Sequence, residues 1–480
     1  MGDEYAARFG AVPIVRRAGE APSLERRGVT LLGIPAGSLP RLRWRDDFAA
    51  LSRRELASRI GGPPVTLRGV ALPAEARRLE LPVTVRGDPV RLSANIRTKQ
   101  GGYLVVDLGE PPTGRPTLAR AWLPAAARGG LIVGFPVEFT SVEAFTAAHR
   151  ATSTAPTLDV FRAGILTLGT PRVRGPNGLR RLAVDYRNWV GSQGGGRTGS
   201  PAAGELSVRY LLTQQQLLRL RPRQPTDGSP VPVIASSSLA RAADDDGLLP
   251  LYVGTASVNV RIAATARFFP SVSGDFVVGD RSRLETGLNA AVPGSALANE
   301  AWVSGGPDVA GRLARAGSVP VRVTSRRARE AELRDDPLAR GALLVLASAA
   351  AAALALSLVG LALTISVDLR DEAGELFDLE TQGLGPAELR RHLRLRALAV
   401  ALTGVAGGLA TGIALTLAVV KALAVSANST DPMPPLVLEP GWAVLILALG
   451  LFVWLALVVV ALQTRAALRG EAAVGSPEAT

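Results

Sequence analysis

Three long apolar runs in the last quarter of the chain constrain its fold more than any other feature. Residues 341–367 carry no charge over more than the roughly 20 residues that a helix needs to cross a bilayer. Residues 397–425 hold one charge, Lys421, whose long side chain can reach the membrane interface. Residues 441–464 begin beside Trp442, a residue type enriched at headgroup level. One such run could be a buried helix of a soluble protein, but three in succession predict an integral membrane protein with three transmembrane helices.

The charged residues between these runs predict their orientation. The link between the first and second runs contains five arginines, whereas residues 426–440, between the second and third, contain neither Lys nor Arg. Short loops rich in Lys and Arg stay in the cytoplasm. We therefore expect a multi-pass protein of a bacterial plasma membrane, with residues 1–340 extracytoplasmic and the tail at 470–480 inside. Five further arginines at 326–340 oppose this count, but long domains translocate largely regardless of charge.

The composition raises the question of a nucleic-acid partner, because the formal charge is +13 and the pI is about 11.1. The basic residues are almost all Arg and are spread along the chain, with lysine only at Lys99 and Lys421. Richness in Arg, Ala, Gly and Pro is also what a GC-rich genome produces. We therefore predict membrane lipid, and not nucleic acid, as a partner. The absence of cysteine excludes disulfides and thiolate metal sites.

Residues 1–65 are predicted to be the end of an incomplete extracytoplasmic domain, with a strand at 29–34 and a helix at 46–60. Residues 1–20 contain no apolar segment of the kind found in signal peptides or membrane anchors. An extracytoplasmic domain needs such a segment. Either a longer protein continues upstream, which we favour, or the orientation is the reverse.

Residues 66–190 are predicted to form a β-sandwich-rich extracytoplasmic domain. Four apolar residues between Val90 and Ile96 alternate with polar ones, the period of two typical of a sheet with one buried face. Turn signals stand on both sides, at Gly87-Asp88 and Gly101-Gly102. Such a domain could bind a ligand or act as a spacer.

Residues 191–204 are rich in Gly and Ser and predict a flexible linker at a domain boundary. This tract lacks the GxxxxGK[ST] spacing of a phosphate-binding loop. Residues 205–340 are predicted to form an extracytoplasmic α+β domain. Its predicted elements are helices at 208–220, 308–316 and 326–336, and strands at 231–236, 249–253, 256–269 and 319–324.

No residues in the sequence form a catalytic constellation that we recognise. The predicted topology puts His149 and His392 on opposite sides of the membrane, and neither HExxH nor GxSxG occurs. The acidic run Asp244-Asp245-Asp246 is followed by glycine and indicates a solvated loop more than a calcium site. We therefore predict a non-enzymatic chain without cofactor or metal.

Two patterns in the membrane block indicate contacts with other proteins. Glycines at Gly404, Gly408 and Gly412 share one helix face and would allow close helix packing, unless they reflect only the glycine content of membrane helices. Between the first two runs, charged and leucine residues predict an amphipathic docking surface for a soluble partner. The alternative is a solvated loop beside anionic headgroups. The docking residues are Arg370, Glu372, Leu376, Leu379, Leu389 and Leu393.

These docking residues, a following glycine and the glycine-bearing helix resemble the FtsX-like permeases of ABC transporters, the class that includes the MacB-type and lipoprotein-releasing systems. The resemblance is best over residues 343–468, which places the membrane domain at 341–469. Residues 231–304, with Phe268-Phe269-Pro270 and Trp302, resemble the family's extracytoplasmic core.

The resemblance implies a permease that works with a separate cytoplasmic ABC ATPase and transmits its motion to the extracytoplasmic domain. The cargo would be a hydrophobic or lipid-linked substrate. Family members have four helices per unit, so three imply a missing N-terminal half or a second permease copy. The alternative is a membrane-anchored envelope sensor or ligand-binding protein without transport activity.

Overall fold

A computed structural model describes residues 9–22, 28–139, 162–192, 195–197, 204–212, 217–305, 309, 311–312, 322–371, 386–423 and 441–474. The chain divides into an N-terminal unit, Met1–Ser304, and a C-terminal unit, Gly305–Thr480. The N-terminal unit is β-rich, as predicted, and the C-terminal unit contains the long apolar helices.

The described strands, in chain order, are β1 (Val12–Glu20), β2 (Gly28–Ile34), β3 (Val70–Ala71), β4 (Arg78–Gly87), β5 (Val90–Arg97), β6 (Tyr103–Gly109), β7 (Pro116–Trp122), β8 (Leu131–Phe139), β9 (Arg162–Leu168), β10 (Arg172–Gly175), β11 (Gly178–Arg181), β12 (Trp189–Ser192), β13 (Gly195–Arg197), β14 (Leu206–Leu212), β15 (Leu218–Pro222), β16 (Val231–Ser236), β17 (Leu248–Val253), β18 (Ala256–Ala266), β19 (Phe276–Asp280) and β20 (Glu300–Trp302). The described helices are α1 (Arg53–Ile60), α2 (Ser237–Ala242), α3 (Arg281–Ala291), α4 (Arg326–Arg334), α5 (Pro337–Asp371), α6 (Pro386–Leu423) and α7 (Trp442–Val474).

One subdomain of the N-terminal unit, the mixed-sheet subdomain, joins β1 and β2 to strands more than 190 residues later. Its strand order is β17-β18-β16-β19-β2-β1-β20, with parallel pairs β16–β18 and β19–β2. Strand β17 also pairs with β1 through Tyr252 and Glu20, so six of the strands form a ring.

The apolar run in β2 explains why this sheet is covered on both faces. Leu31 belongs to one core and Leu32 to the other, because successive side chains in a strand point to opposite faces. Helix α3 contributes Leu284 to the first core, and α1 contributes Leu56 to the second. Helix α1 begins at a capping box in which Ser52 and Glu55 bond each other's backbone N–H groups.

The other subdomain, the two-sheet subdomain, lies between these halves in the chain. One sheet has the order β11-β10-β4-β9-β14-β13, with β7 also paired to β4. The second has the order β12-β15-β8-β5-β6, with β3 paired to β8. Both sheets supply one hydrophobic core, for example Leu81 and Leu166 from the first and Phe135 and Leu220 from the second.

The structure differs from the sequence expectation at three places. The predicted helix at 208–220 is instead β14 and β15, whose alternate residues enter the core. The tract at 191–204 contains the end of β12 and all of β13, which pair within the two-sheet subdomain. The region at 1–65, predicted to be the end of a separate domain, supplies β1 and β2 to the mixed sheet. The other strands of that sheet lie between Val231 and Trp302, so the two regions form one subdomain.

Three helices of the C-terminal unit are long and apolar enough to cross a membrane, as predicted. Their membrane-compatible segments are Arg340–Val367, Leu398–Leu417 and Trp442–Gln463. The expected helix at 308–316 and strand at 319–324 lie mostly outside the described residues.

Candidate functional site

Helix α4 and helix α5 are joined by a two-residue break that is held by side chains. Asp336 accepts a hydrogen bond from Leu338 N at 3.1 Å, and Pro337 occupies the first helical position, where its missing N–H costs nothing. Arg340 bonds the Arg334 carbonyl at 3.1 Å and Asp335 at 2.6 Å. This bond pattern connects the end of the charged helix to the start of the first apolar helix.

Helix α5 continues past its apolar segment to Asp371, which places Arg370 in its last turn. Helix α6 begins at Pro386, as the Gly385-Pro386 pair predicts, and includes Leu389 and Leu393 in its first turns. The docking residues Glu372, Leu376 and Leu379 fall in the segment at 372–385, outside the described residues.

Helix α6 runs without interruption from these leucines through its apolar segment. The 29 residues from Leu389 to Leu417 span 28 helical rises, or about 42 Å of helix.

The three glycines of α6 expose an open face. A side chain built at Gly404, Gly408 or Gly412 would meet no atom within 4 Å in the described part of the chain. The described portions of α5 and α7 therefore do not occupy this face. The predicted helix packing at these positions stays a prediction.

Helices α5 and α7 contact each other near the end of the first apolar segment. Ile365 and Val460 pack together, with Leu361 beside them. Ser366 Oγ lies 3.3 Å from Gln463 Oε1 and also donates to the Ala362 carbonyl. Sequence reasoning missed this polar contact, although an amide at the end of an apolar run was a usable signal, since interhelical hydrogen bonds form at such positions.

Gln224, which is 2% exposed, joins the two segments by which the chain passes between the subdomains of the N-terminal unit. Its side chain accepts from Arg68 N at 2.8 Å and donates to the Arg68 carbonyl at 2.9 Å. Asp227 accepts from Gln224 N and forms a two-bond ion pair with Arg221 at 2.6 and 3.0 Å. These bonds connect the segment that leaves the mixed-sheet subdomain, at Arg68, to the segment that returns to it, at residues 224–227.

A cleft of about 240 Å³ lies beside this junction, between the β5–β6 turn and helix α3. Burial raises the pKa of Tyr103 in this cleft to about 12, and the nearby Glu285 carboxylate contributes to the shift. Glu285 is paired with Arg281 at 2.7 Å. Asn289, which also lines the cleft, forms hydrogen bonds to Gly294 and Ala296 in the following loop.

The acidic run follows the solvated-loop interpretation. Asp244 Oδ1 accepts from the backbone N–H groups of Asp246 and Leu248, which closes a local turn. Across the described residues, no group of three or more His, Asp or Glu side chains is placed to hold a metal ion.

Comparison with known proteins identifies the C-terminal helices. Residues 347–472 match the family model described as FtsX-like permease C-terminal. This match confirms the resemblance inferred from the sequence. The matched range covers most of α5, all of α6, and α7 up to its last turn. Members of this family are membrane transport components that generally work with an ABC ATPase. No curated protein and no solved structure matches the chain.

Proposed function

We propose, from the FtsX-like permease domain at residues 347–472, that this chain is the permease subunit of an ABC transporter. A separate cytoplasmic ATPase hydrolyses ATP, and the permease transmits the resulting motion to its N-terminal unit outside the membrane. The cargo is a hydrophobic or lipid-linked substrate that is exported or extracted. The family match over all three apolar helices is the observation that carries this proposal.

The ATPase docks on the link between α5 and α6. Arg370 in the last turn of α5 and Leu389 and Leu393 in the first turns of α6 flank this link. Leucines four residues apart share one helix face, and an apolar strip flanked by arginines suits a groove with acidic edges on a soluble partner. Glu372, Leu376 and Leu379 belong to the same proposed surface.

Motion then passes along two paths in the membrane. Helix α6 carries it through the bilayer as a rigid rod, and α7 passes it to α5 through the contact of Ile365 with Val460. From α5 the motion reaches α4 across the two-residue break between these helices, which Arg340 bridges. The open glycine face of α6 packs against a helix of a second permease copy or of another permease half.

Changing the docking leucines tests this proposal. ABC ATPases from the same genome are co-expressed one at a time with the full chain, and co-purification and ATP turnover are measured. We expect one ATPase to co-purify with the unchanged chain. We expect L389D/L393D to lose at least about 90% of this ATPase, because two carboxylates would be desolvated in an apolar contact.

Leu395→Asp is the matched control, because Leu395 is exposed on a different face of the same helix. We expect this variant to keep the ATPase. Retained binding by L389D/L393D would reject the docking surface. If no ATPase of that genome binds the unchanged chain, the transporter proposal fails and the chain is a membrane-anchored sensor or ligand-binding protein.

A further inference from the structure

One outer face of the two-sheet subdomain is unusually basic. In the strands β4, β7, β9, β10, β11 and β14, alternate residues point away from the core, and seven of them are arginines. We call this surface the arginine face. Its arginines are Arg78, Arg86, Arg120, Arg172, Arg174, Arg181 and Arg209. In the same described strands, Glu80 is the one carboxylate that points the same way.

The strand register places these arginines next to one another. Arg120 and Arg172 lie opposite Glu80 on its two neighbouring strands. Arg181 lies opposite Arg172 on the next strand. Directly opposed residues of antiparallel strands are about 4.5–5.5 Å apart, and like charges placed so close destabilise a sheet.

Most arginines of this face have no carboxylate partner within the described part of the chain. Glu80 is 3% exposed and lies 3.3 Å from Arg174 Nε. In the described part of the structure, Arg120 and Arg181 form no ion pair. Arg172 also lacks one, and its Nε is buried without a hydrogen-bond partner.

The outer face of the opposite sheet shows that the fold does not require such a surface. There Arg91 pairs with Asp107 at 2.5 Å and lies opposite Glu138. Arg221 pairs with Asp227 at 2.6 Å. The same architecture therefore pairs arginines with carboxylates on one side and leaves most of them without such partners on the other.

Exposed apolar side chains accompany the arginines. Trp122 is 72% exposed, and the Arg78 guanidinium lies 5.5 Å from its ring centroid. Leu179 and Leu211 are exposed on the same face. Tryptophan is enriched at the boundary between lipid and water, where its ring meets the acyl region and its N–H remains hydrated.

We propose that the arginine face binds the anionic phospholipid headgroups of a bilayer. Guanidinium groups bind phosphate oxygens through paired, charge-assisted hydrogen bonds, so a row of them suits a plane of phosphodiesters. Trp122, Leu179 and Leu211 enter the interfacial layer. The same chain carries helices of membrane-spanning length, which favours lipid over other polyanions as the ligand. This inference is independent of the proposed transport function.

Vesicle flotation tests the proposal with the full chain. The chain is reconstituted in nanodiscs of phosphatidylcholine, so that its apolar helices are already occupied, and is mixed with vesicles of phosphatidylcholine or of phosphatidylcholine with phosphatidylglycerol. We expect it to float with the anionic vesicles and to be released by 0.5 M salt, which screens exposed charges. Equal flotation with both vesicles overturns the proposal.

R120Q/R181Q/R209Q removes three exposed arginines that form no ion pair in the described structure. We expect its affinity for anionic vesicles to fall by about tenfold or more. R41Q/R43Q/R54Q removes the same charge from exposed positions of the mixed-sheet subdomain and should bind as the unchanged chain does. An equal loss in both variants overturns the assignment to this face. Near-UV circular dichroism confirms that each variant is folded.

Site-specific labels locate the contact. The chain contains no cysteine, so Leu179→Cys and Val105→Cys can each be labelled with bimane. Val105 is exposed on the opposite sheet and serves as the control. We expect anionic vesicles to shift the emission of the label at 179 and not at 105. Binding of heparin without any shift at 179 on vesicles would instead indicate a soluble polyanion and overturn the lipid assignment.

Discussion

At the scale of single residues, buried phenols stabilise the two-sheet subdomain. Tyr186 is fully buried, its hydroxyl donates to the Gly169 carbonyl at 3.0 Å, and its ring meets Trp189 at 5.0 Å between centroids. Burial raises the pKa of Tyr186. It also raises the pKa of Tyr210, whose hydroxyl donates to the Asp88 carbonyl, to about 12.

These shifts predict that stability falls at alkaline pH. The unfolded chain releases a tyrosine proton near pH 10 while the folded chain keeps it, so the contribution is complete below pH 10 and is lost as pH rises through the folded-state pKa. We expect Tyr186→Phe to lower the free energy of unfolding by about 1 kcal/mol at pH 8. Above pH 10 the variant should lose about 1.4 kcal/mol less per pH unit than the unchanged chain.

Denaturant unfolding of the full chain in detergent, followed by near-UV circular dichroism at pH 8, 10 and 11, measures both effects. Parallel losses of stability in the two proteins above pH 10 would show that the Tyr186 phenol does not titrate in this way.

At the scale of elements, features set by local composition could be predicted from the sequence and features set by distant pairing could not. The three apolar helices were predicted because length and polarity are local properties. The helix predicted at 208–220 is wrong, and the described residues of this range lie in β14 and β15 or directly before β15. The alternation of buried residues from Leu206 to Leu212, which marks a strand, was present. The partners of β1 and β2 lie beyond the reach of any local pattern.

The candidate site likewise contains features that local sequence patterns predict and features that depend on distant pairing. The start of α6 at Pro386 follows from the preference of proline for the first turn of a helix. The role of Gln224 depends on tertiary pairing, so sequence spacing could not identify it, whereas Gln463 at the end of an apolar run was a signal that could have been used.

The open face of α6 gives a prediction for this element. If a helix of a second permease copy packs on Gly408, then Gly408→Leu should block its approach, although leucine favours the helix itself. We expect this variant to lose most of the assembly between copies, measured as energy transfer between differently labelled chains in one bilayer. Gly450→Leu in α7, also in open space, is the control and should assemble normally. Unchanged energy transfer in Gly408→Leu would show that this face has another role.

At the scale of the whole molecule, the proposed function depends on which side of the membrane each segment occupies. The proposed cytoplasmic ATPase could act on the FtsX-like helices only if the link between α5 and α6 faces the cytoplasm. The segment before α5 must then lie outside. Because the chain has no native cysteine, single cysteines report the side of each segment directly.

Labelling of Arg327→Cys and Ala387→Cys with a membrane-impermeant maleimide is the most direct test. In intact spheroplasts we expect the cysteine at 327, before α5, to react at once. The cysteine at 387, in the first turn of α6, should react only after the membrane is permeabilised. Reaction at 387 in intact spheroplasts, with 327 protected, would place the docking segment outside and contradict the account.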